Sequence, residues 1–73
     1  MKIWEYDSRS LPRVIRSYRQ DNHLSQEQFG KLCGIRENVI QAYETRREIP
    51  ILNNLLKMAQ VMDIDEIRIN PKA

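Results

Sequence analysis

The chain has 73 residues with a formal net charge of +2; 41% of its residues are hydrophobic and 30% are charged. This length allows one small domain, and the composition excludes simple disorder but leaves a thin core that dimerisation would supplement. One cysteine, one histidine and no phosphate-binding glycine loop exclude an internal disulfide and a zinc site of cysteine pairs, and they argue against a large catalytic cleft.

We therefore predict a protein that is not an enzyme, with no catalytic residues, no metal site, no cofactor and no small-molecule ligand. No apolar run approaches the roughly 20 residues that span a membrane. Glu5, Asp7 and Arg9 interrupt any signal-peptide core at the N-terminus. The expected location is a reducing cytoplasm, away from membranes.

A single domain is predicted over residues 1–73, and its first eight residues form an N-terminal arm. Residues 2–6 are compatible with a brief strand or with an arm packed on the core. Trp4 is the only tryptophan, and we expect it to be buried on the domain or on a partner.

The first predicted helix begins after Ser10, which is assigned as its N-cap, and tolerates Pro12 in its first turn. Its apolar side chains recur at the spacing i, i+3, i+4, i+7, which forms one stripe. These positions are Leu11, Val14, Ile15 and Tyr18. Arg13 and Arg16 fall on the other faces, and the helix is expected to end near residues 21–22.

The second and third predicted helices are separated by only a few residues. Ser25 opens the second helix, because Gln28 three residues later completes a capping box. Gly34 ends it, since glycine accepts the left-handed conformation found at helix ends. The third helix is expected to end around residues 45–47. The apolar positions of the two helices are Phe29, Leu32, Cys33, Ile35, Val39, Ile40 and Tyr43.

A fourth helix is predicted to follow Pro50 and to end at Asp63. Its apolar stripe, which we expect to lie mostly in the core, consists of Leu52, Leu55, Leu56, Ala59 and Met62. Met58 and Val61 would lie on the opposite side of this helix, where they offer a seam for a dimer.

The C-terminal tail, residues 65–73, alternates weakly in hydropathy through Ile67 and Ile69. This pattern is compatible with a turn and a short strand. Such a strand has residues 2–6 as one candidate partner.

Two helices joined by so tight a glycine turn must cross at a steep angle, which is helix-turn-helix geometry. The second helix of such a motif is able to enter the major groove of DNA. The motif is assigned to residues 26–45, and Gly30 is small where its helices approach closely. Its buried contacts are assigned to Phe29, Cys33, Ile35, Ile40 and Tyr43. Cys33 is thus interpreted as a small buried hydrophobe rather than a redox sensor.

These residues resemble a known family. Residues 24–30 (LSQEQFG), 32–35 (LCGI) and 40–44 (IQAYE), followed by Pro50, are similar to the phage repressor/Cro-type (Xre) helix-turn-helix domain over about residues 11–64. The resemblance implies an all-α fold: a compact, lambda-repressor-like bundle of four or five helices, to which the ends of this chain add the option of short β-strands. It also implies binding of double-stranded operator DNA as a dimer.

The resemblance places eight residues at the DNA: Gln26, Arg36, Glu37, Asn38, Val39, Gln41, Arg46 and Arg47. In the family, the residue at Gln26 holds a phosphate and braces the recognition helix. Side chains of the exposed helix face suit base edges, because asparagine bonds adenine, arginine forks onto guanine and glutamate accepts from cytosine. Val39 suits a thymine methyl, while Arg46 and Arg47 suit phosphates. The alternative for Arg36, Glu37, Asn38 and Gln41 is an ordinary solvated helix face.

The resemblance also implies a buried ion pair between Arg19 and Glu44, so Arg19 is not counted as a DNA contact. Three residues depart from the family pattern. Arg36 stands where serine or threonine usually caps the recognition helix, and Gly30 stands where alanine is usual. Arg46 stands where glycine is frequent, which predicts either a longer helix or a strained turn.

The function predicted from these residues is sequence-specific transcriptional regulation. A repressor of a mobile element would act as a homodimer on a palindromic operator, in the cytoplasm and at the nucleoid. The alternative is a protein-interaction module with a helix-turn-helix core, such as an antitoxin or antirepressor, with Trp4 and residues 67–69 as its docking edge.

Overall fold

The computed structural model describes residues 1–69, and over this range it contains four α-helices and two β-strands. In chain order these are β1 (Ile3–Tyr6), α1 (Leu11–Asp21), α2 (Gln26–Cys33), α3 (Glu37–Glu44), α4 (Leu52–Val61) and β2 (Glu66–Ile69). The predicted bundle of four or five helices is confirmed with four, and the short terminal strands that the sequence left as an option are present. The last part of the predicted tail, residues 70–73, lies outside the described residues.

The two ends of the chain pair with each other. β1 and β2 form a parallel two-stranded sheet in which Trp4 lies opposite Ile67. The backbone N–H of Lys2 donates to the Asp65 carboxylate at 2.7 Å, and the Lys2 ammonium donates to the Met62 carbonyl at 3.0 Å. Trp4 is only 6% exposed and belongs to the core. The arm is therefore anchored on its own domain, and Trp4 is not available as a docking residue.

The core lies where the apolar faces of the four helices meet. Its largest fully buried side chains are Phe29, Leu11, Ile15, Ile40 and Met58. On α2, the apolar side chain of Leu32, which was not among the predicted buried contacts, is 58% exposed. Only Phe29, Gly30 and Cys33 of this short helix are buried. The face of α2 that contacts the core therefore includes fewer residues than the apolar positions of its sequence.

The buried face of α4 differs from the prediction. Leu52 and Leu56 are 59% and 50% exposed, whereas the buried side chains are Leu55, Met58, Ala59 and Met62. This second set also has the spacing i, i+3, i+4, i+7, so the sequence contains two overlapping stripes. Packing of α4 on α2 selects the second stripe. The proposed dimer seam was therefore wrong: Met58 is fully buried, and Val61 is half-buried with its carbonyl bound by the Tyr18 hydroxyl.

The helices α1 and α2 begin directly after the predicted N-cap residues Ser10 and Ser25, but only Ser25 makes the predicted side-chain cap. At α2 the capping box is confirmed, since the Gln28 N–H donates to Ser25 Oγ at 3.0 Å and the Ser25 N–H donates to Gln28 Oε1 at 2.8 Å. At α1 the Ser10 side chain does not cap the helix. Its hydroxyl donates to the Asp7 carbonyl instead.

All four helices end with the same pair of backbone hydrogen bonds. In each case the backbone N–H of a residue with positive φ donates to the carbonyl of the residue three positions earlier. The N–H of the next residue donates to the carbonyl five positions before itself. This arrangement satisfies carbonyls that the helix leaves without partners. The residues with positive φ are His23 (56°), Gly34 (70°), Arg46 (63°) and Asp63 (57°). The residues that follow them are Leu24, Ile35, Arg47 and Ile64.

Candidate nucleic-acid interface

The turn between α2 and α3 holds the two helices close together. Gly34 adopts φ +70° there, and the Ile35 N–H donates to the Gly30 carbonyl at 2.8 Å. Ile35 is buried in the core. A Cβ on Gly30 would overlap the carbonyl oxygen of Ile35. The glycine in place of the usual alanine is explained by this contact, because the backbone after the turn occupies the space that a methyl group needs.

The eight residues of α3 divide into two faces. Its buried residues are Ile40, Ala42, Tyr43 and Glu44. Its other face, together with the preceding residue, is exposed and consists of Arg36, Glu37, Asn38 and Gln41. A helix of this length extends about 12 Å. The face predicted to contact DNA therefore projects from the protein and is not covered by the arm or by the described part of the tail.

Comparison with protein families is consistent with this geometry. A family model described as helix-turn-helix matches residues 15–69, which is most of the chain and includes α2, α3 and α4. The chain belongs to the helix-turn-helix family. Members of this Cro/C1-type family are DNA-binding regulators, and α3 occupies the recognition-helix position of the motif. A search of curated proteins and a search of solved structures returned no match.

The remaining residues assigned to DNA lie around the recognition helix of this helix-turn-helix protein. Gln26 is half-buried at the first position of α2, directly after the Ser25 cap. Arg46 and Arg47 are exposed in the turn after α3. Val39 differs from its neighbours, because it is half-buried and packs against the core. A contact between Val39 and a thymine methyl is therefore limited to the exposed part of its side chain.

A buried ion pair fastens the recognition helix to α1. Arg19 Nε donates to Glu44 Oε2 at 2.6 Å, and Arg19 Nη2 donates to Glu44 Oε1 at 2.9 Å. Arg19 Nη1 also donates to the Leu24 carbonyl at 3.1 Å. The hydrogen bond to Glu44 raises the pKa of Arg19. The bidentate fork fixes the C-terminal end of α3, so Arg19 positions the recognition helix from the inside.

The start of the recognition helix lacks the usual hydroxyl cap. Arg36 has an extended backbone (φ −65°, ψ 149°), and its side chain does not accept or donate a capping bond. Glu37 in the first turn offsets part of this loss, because a carboxylate interacts favourably with the positive end of the helix dipole. The Arg36 guanidinium forms no ion pair with any residue from 1 to 69.

Residues 1–69 were also compared with the requirements of a membrane-spanning helix and of a metal site, and they meet neither. No helix in this range is long and apolar enough to cross a membrane. The same range contains no group of three or more His, Cys, Asp or Glu side chains placed to hold a metal ion.

Proposed function

We propose that this helix-turn-helix protein is a sequence-specific transcriptional repressor that acts by occupying an operator as a dimer. The observation that carries the proposal is the exposed polar face of α3, which is backed by buried contacts to α1 and α2. A major groove is about 12 Å wide, and a single helix fits into it. Each protomer would place α3 in one groove and block access of the transcription machinery by occupancy alone.

The residue types on this face favour base readout over simple solvation. Asn38 matches the N6/N7 edge of adenine, and Arg36 matches the O6/N7 edge of guanine. Glu37 accepts only, so it favours the N4 amino group of cytosine. All three side chains are exposed at the N-terminal end of α3, which is the end that contacts base edges in this kind of motif.

The dimension of the molecule supports a symmetric dimer on DNA. Its described part measures 30 × 29 × 20 Å. Half-sites one helical turn apart require the two recognition helices of a dimer to be separated by roughly 34–36 Å, a distance that two bodies of this size can span. A second copy of this chain is the occupant we assign to the apolar groove of about 340 Å³ between α4 and β2, which includes the exposed side chains of Leu52, Leu56 and Ile69.

Selection of bound sites from random duplexes tests this function directly. We expect one enriched half-site, present twice with two-fold symmetry and a spacing near one helical turn. Asn38→Ala should then lose about 1–3 kcal/mol of preference at a single base position. Asn53→Ala, an exposed change of the same kind on α4, should leave the base preference as it is.

The alternative function, a protein-interaction module, predicts a different result. Its binding to DNA would show no enriched site and little dependence on salt, whereas operator binding weakens steeply with salt in proportion to its phosphate contacts. A single asymmetric half-site would retain DNA recognition but contradict the dimer.

A further inference from the structure

We propose that the DNA-binding surface extends past the helix-turn-helix motif onto the N-terminal end of α1. There Arg9, Arg13, Arg16 and Arg46, hereafter the arginine surface, bind backbone phosphates that flank the bases read by α3. This inference rests on the proposed function, since it concerns the same duplex. It assigns a binding role to three arginines of the α1 region that neither the sequence motif nor the family resemblance places at DNA.

The four arginines surround one concavity. It has a volume of about 320 Å³ and is lined by Arg9, Pro12, Arg13, Arg16, Glu44, Thr45 and Arg46. Arg13 and Arg16 are three residues apart on α1 and therefore lie on the same side of its first turns. Arg9 joins them from the turn that precedes the helix. Arg46 joins them from the turn after α3, because its Nη2 donates to the Arg9 carbonyl at 2.7 Å. The surface is thus continuous with the end of the recognition helix.

Two of the four guanidinium groups of this surface have no carboxylate partner within residues 1–69. Arg9 Nε lies 3.6 Å from the Asp7 carboxylate, which does not line the concavity. The only acidic residue that lines the concavity within residues 1–69 is Glu44, which is buried and already holds Arg19 through two hydrogen bonds. Arg16 Nε lies 3.7 Å from the same carboxylate. Arg13 and Arg46 form no ion pair with any residue in the described range. Clustered guanidinium groups of this kind fit phosphate oxygens, which they bind through paired N–H donors.

The backbone of Arg46 gives independent support. Arg46 adopts φ +63°, a conformation that costs about 1–2 kcal/mol for a residue with a Cβ. Two of the other three left-handed residues, His23 and Asp63, belong to types that are enriched in this conformation, and the third is glycine. Arginine is not among the residue types that are enriched in the left-handed conformation. Strained residues of this kind are concentrated where a side chain serves binding.

The residue after Arg46 is also unusual for its position at a helix end. At the other three helix ends an apolar residue packs inward at this position, and such a contact is usual for the motif. After α3 the residue is Arg47, which is exposed. The turn that follows the recognition helix has therefore exchanged a stabilising apolar contact for a second cation.

Placement identifies the ligand as DNA backbone rather than an unrelated anion. When α3 lies in a groove, the turn after it must approach one of the phosphate ridges beside that groove. From there the arginine surface leads onto α1, where Arg13 and Arg16 are about one helical turn, roughly 5 Å, apart. The phosphates of one strand follow at about 3.4 Å along the duplex axis. The surface is long enough to contact more than one of them.

Arg13→Gln is the sharpest test, because this side chain is exposed and holds no ion pair within residues 1–69. Lys57→Gln on α4 removes the same charge outside the concavity and serves as the matched control. The measurement is the slope of log affinity against log salt on the selected operator and on a scrambled duplex. We expect Arg13→Gln to lower the slope by about 0.9 and Arg9→Gln/Arg13→Gln by about twice that. Both variants should weaken operator and scrambled duplex by the same factor, with an unchanged preferred base sequence, while Lys57→Gln matches wild type.

Phosphate ethylation interference locates the contacts. In wild type we expect interference at phosphates outside the base pairs enriched by selection, and we expect this outer interference to disappear with Arg9→Gln/Arg13→Gln. Thermal unfolding of each variant shows that it is folded. If wild type binds the operator but Arg13→Gln and Lys57→Gln behave alike, the arginine surface is refuted and the proposed function stands. If wild type shows no salt-dependent DNA binding, both proposals are refuted.

Discussion

The ends of α2 and α3 have the same backbone and opposite chemistry. At the end of α2, Gly34 takes the left-handed conformation and Ile35 turns into the core. At the end of α3, Arg46 takes that conformation and Arg47 turns into solvent. The closing hydrogen bonds are equivalent, at 2.8 Å from the Ile35 N–H to the Gly30 carbonyl and 2.9 Å from the Arg47 N–H to the Ala42 carbonyl.

This difference separates two tasks of one motif. The end of α2 sets the angle of the recognition helix. Its residues fit this role, because Gly34 adopts the left-handed turn without strain and Ile35 is buried in the core. The end of α3 carries two exposed arginines, which under the proposed function face the DNA backbone. We therefore expect substitutions of the turn residues after α2 to change stability, and substitutions of the turn residues after α3 to change binding.

The largest effect is expected when the inner anchor of α3 is broken. Arg19→Ala leaves the Glu44 carboxylate, which is 5% exposed, without its bidentate partner. We expect the free energy of unfolding to fall by about 3–5 kcal/mol, measured by urea denaturation. A double variant, Arg19→Met with Glu44→Leu, should recover much of this loss, because it removes both buried charges. A loss below about 1 kcal/mol for Arg19→Ala would show that the pair does not anchor the helix.

The end of α2 should lose stability at alkaline pH. Cys33 closes this helix in the core, and burial raises the pKa of its thiol from 9.0 to about 11. The unfolded chain ionises first, so the contribution of the thiol is complete below about pH 9 and is lost as the pH rises through 11. We expect a loss of about 2 kcal/mol by pH 11, measured as the free energy of unfolding. Cys33→Ala is the control, since its decline over the same range should be smaller by that amount; equal declines would contradict the buried thiol.

Exchanging the residue types of the two turns should give the smallest and most informative effects. Gly34→Ala meets open space but acquires a strained backbone, so we expect it to destabilise the fold by about 1 kcal/mol. Arg46→Gly removes strain but also the hydrogen bond to the Arg9 carbonyl. We expect its stability to stay level or rise by less than about 1 kcal/mol.

The same pair of variants separates stability from binding. Arg46→Gly should bind all duplexes more weakly despite its intact fold, because the proposed function assigns a phosphate contact to Arg46. Gly34→Ala, measured well below its melting temperature, should keep wild-type affinity for the folded fraction. If Arg46→Gly were both more stable and fully active in binding, the division of tasks between the two turns would be refuted.

Local signals in the sequence were sufficient for the motif itself. The Ser25 and Gln28 capping box and Gly34 act within a few residues of chain, so their effect on the backbone does not depend on distant contacts. The same holds for the polar face of α3, because the apolar positions of its other face were recognisable from their spacing. Other local signals did not suffice, since Ser10 was assigned as a cap and in the structure bonds the Asp7 carbonyl.

Where the local sequence was compatible with two conformations, it did not determine which of them forms. Arg46 was compatible with a longer helix or a strained turn, and the structure contains the turn. The spacing of Arg9, Arg13 and Arg16 was present in the sequence, but nothing local shows that Arg46 joins them across the fold. The sequence predicted a close approach of two helices at Gly30, but only the structure identifies the Ile35 carbonyl as the group that occupies the space of its missing Cβ.

The amino-acid sequence by itself determined the helices, the tight turn and the side chains that a recognition helix would offer, because these follow from capping, backbone conformation and periodicity within one or two turns of chain. Only the tertiary structure decided which of two apolar stripes of α4 is buried, that the chain ends pair as parallel strands, and that arginines from α1 and the turn after α3 share one surface. Each of these depends on contacts between residues far apart in sequence, where burial against a particular neighbour chooses among options that are equal locally.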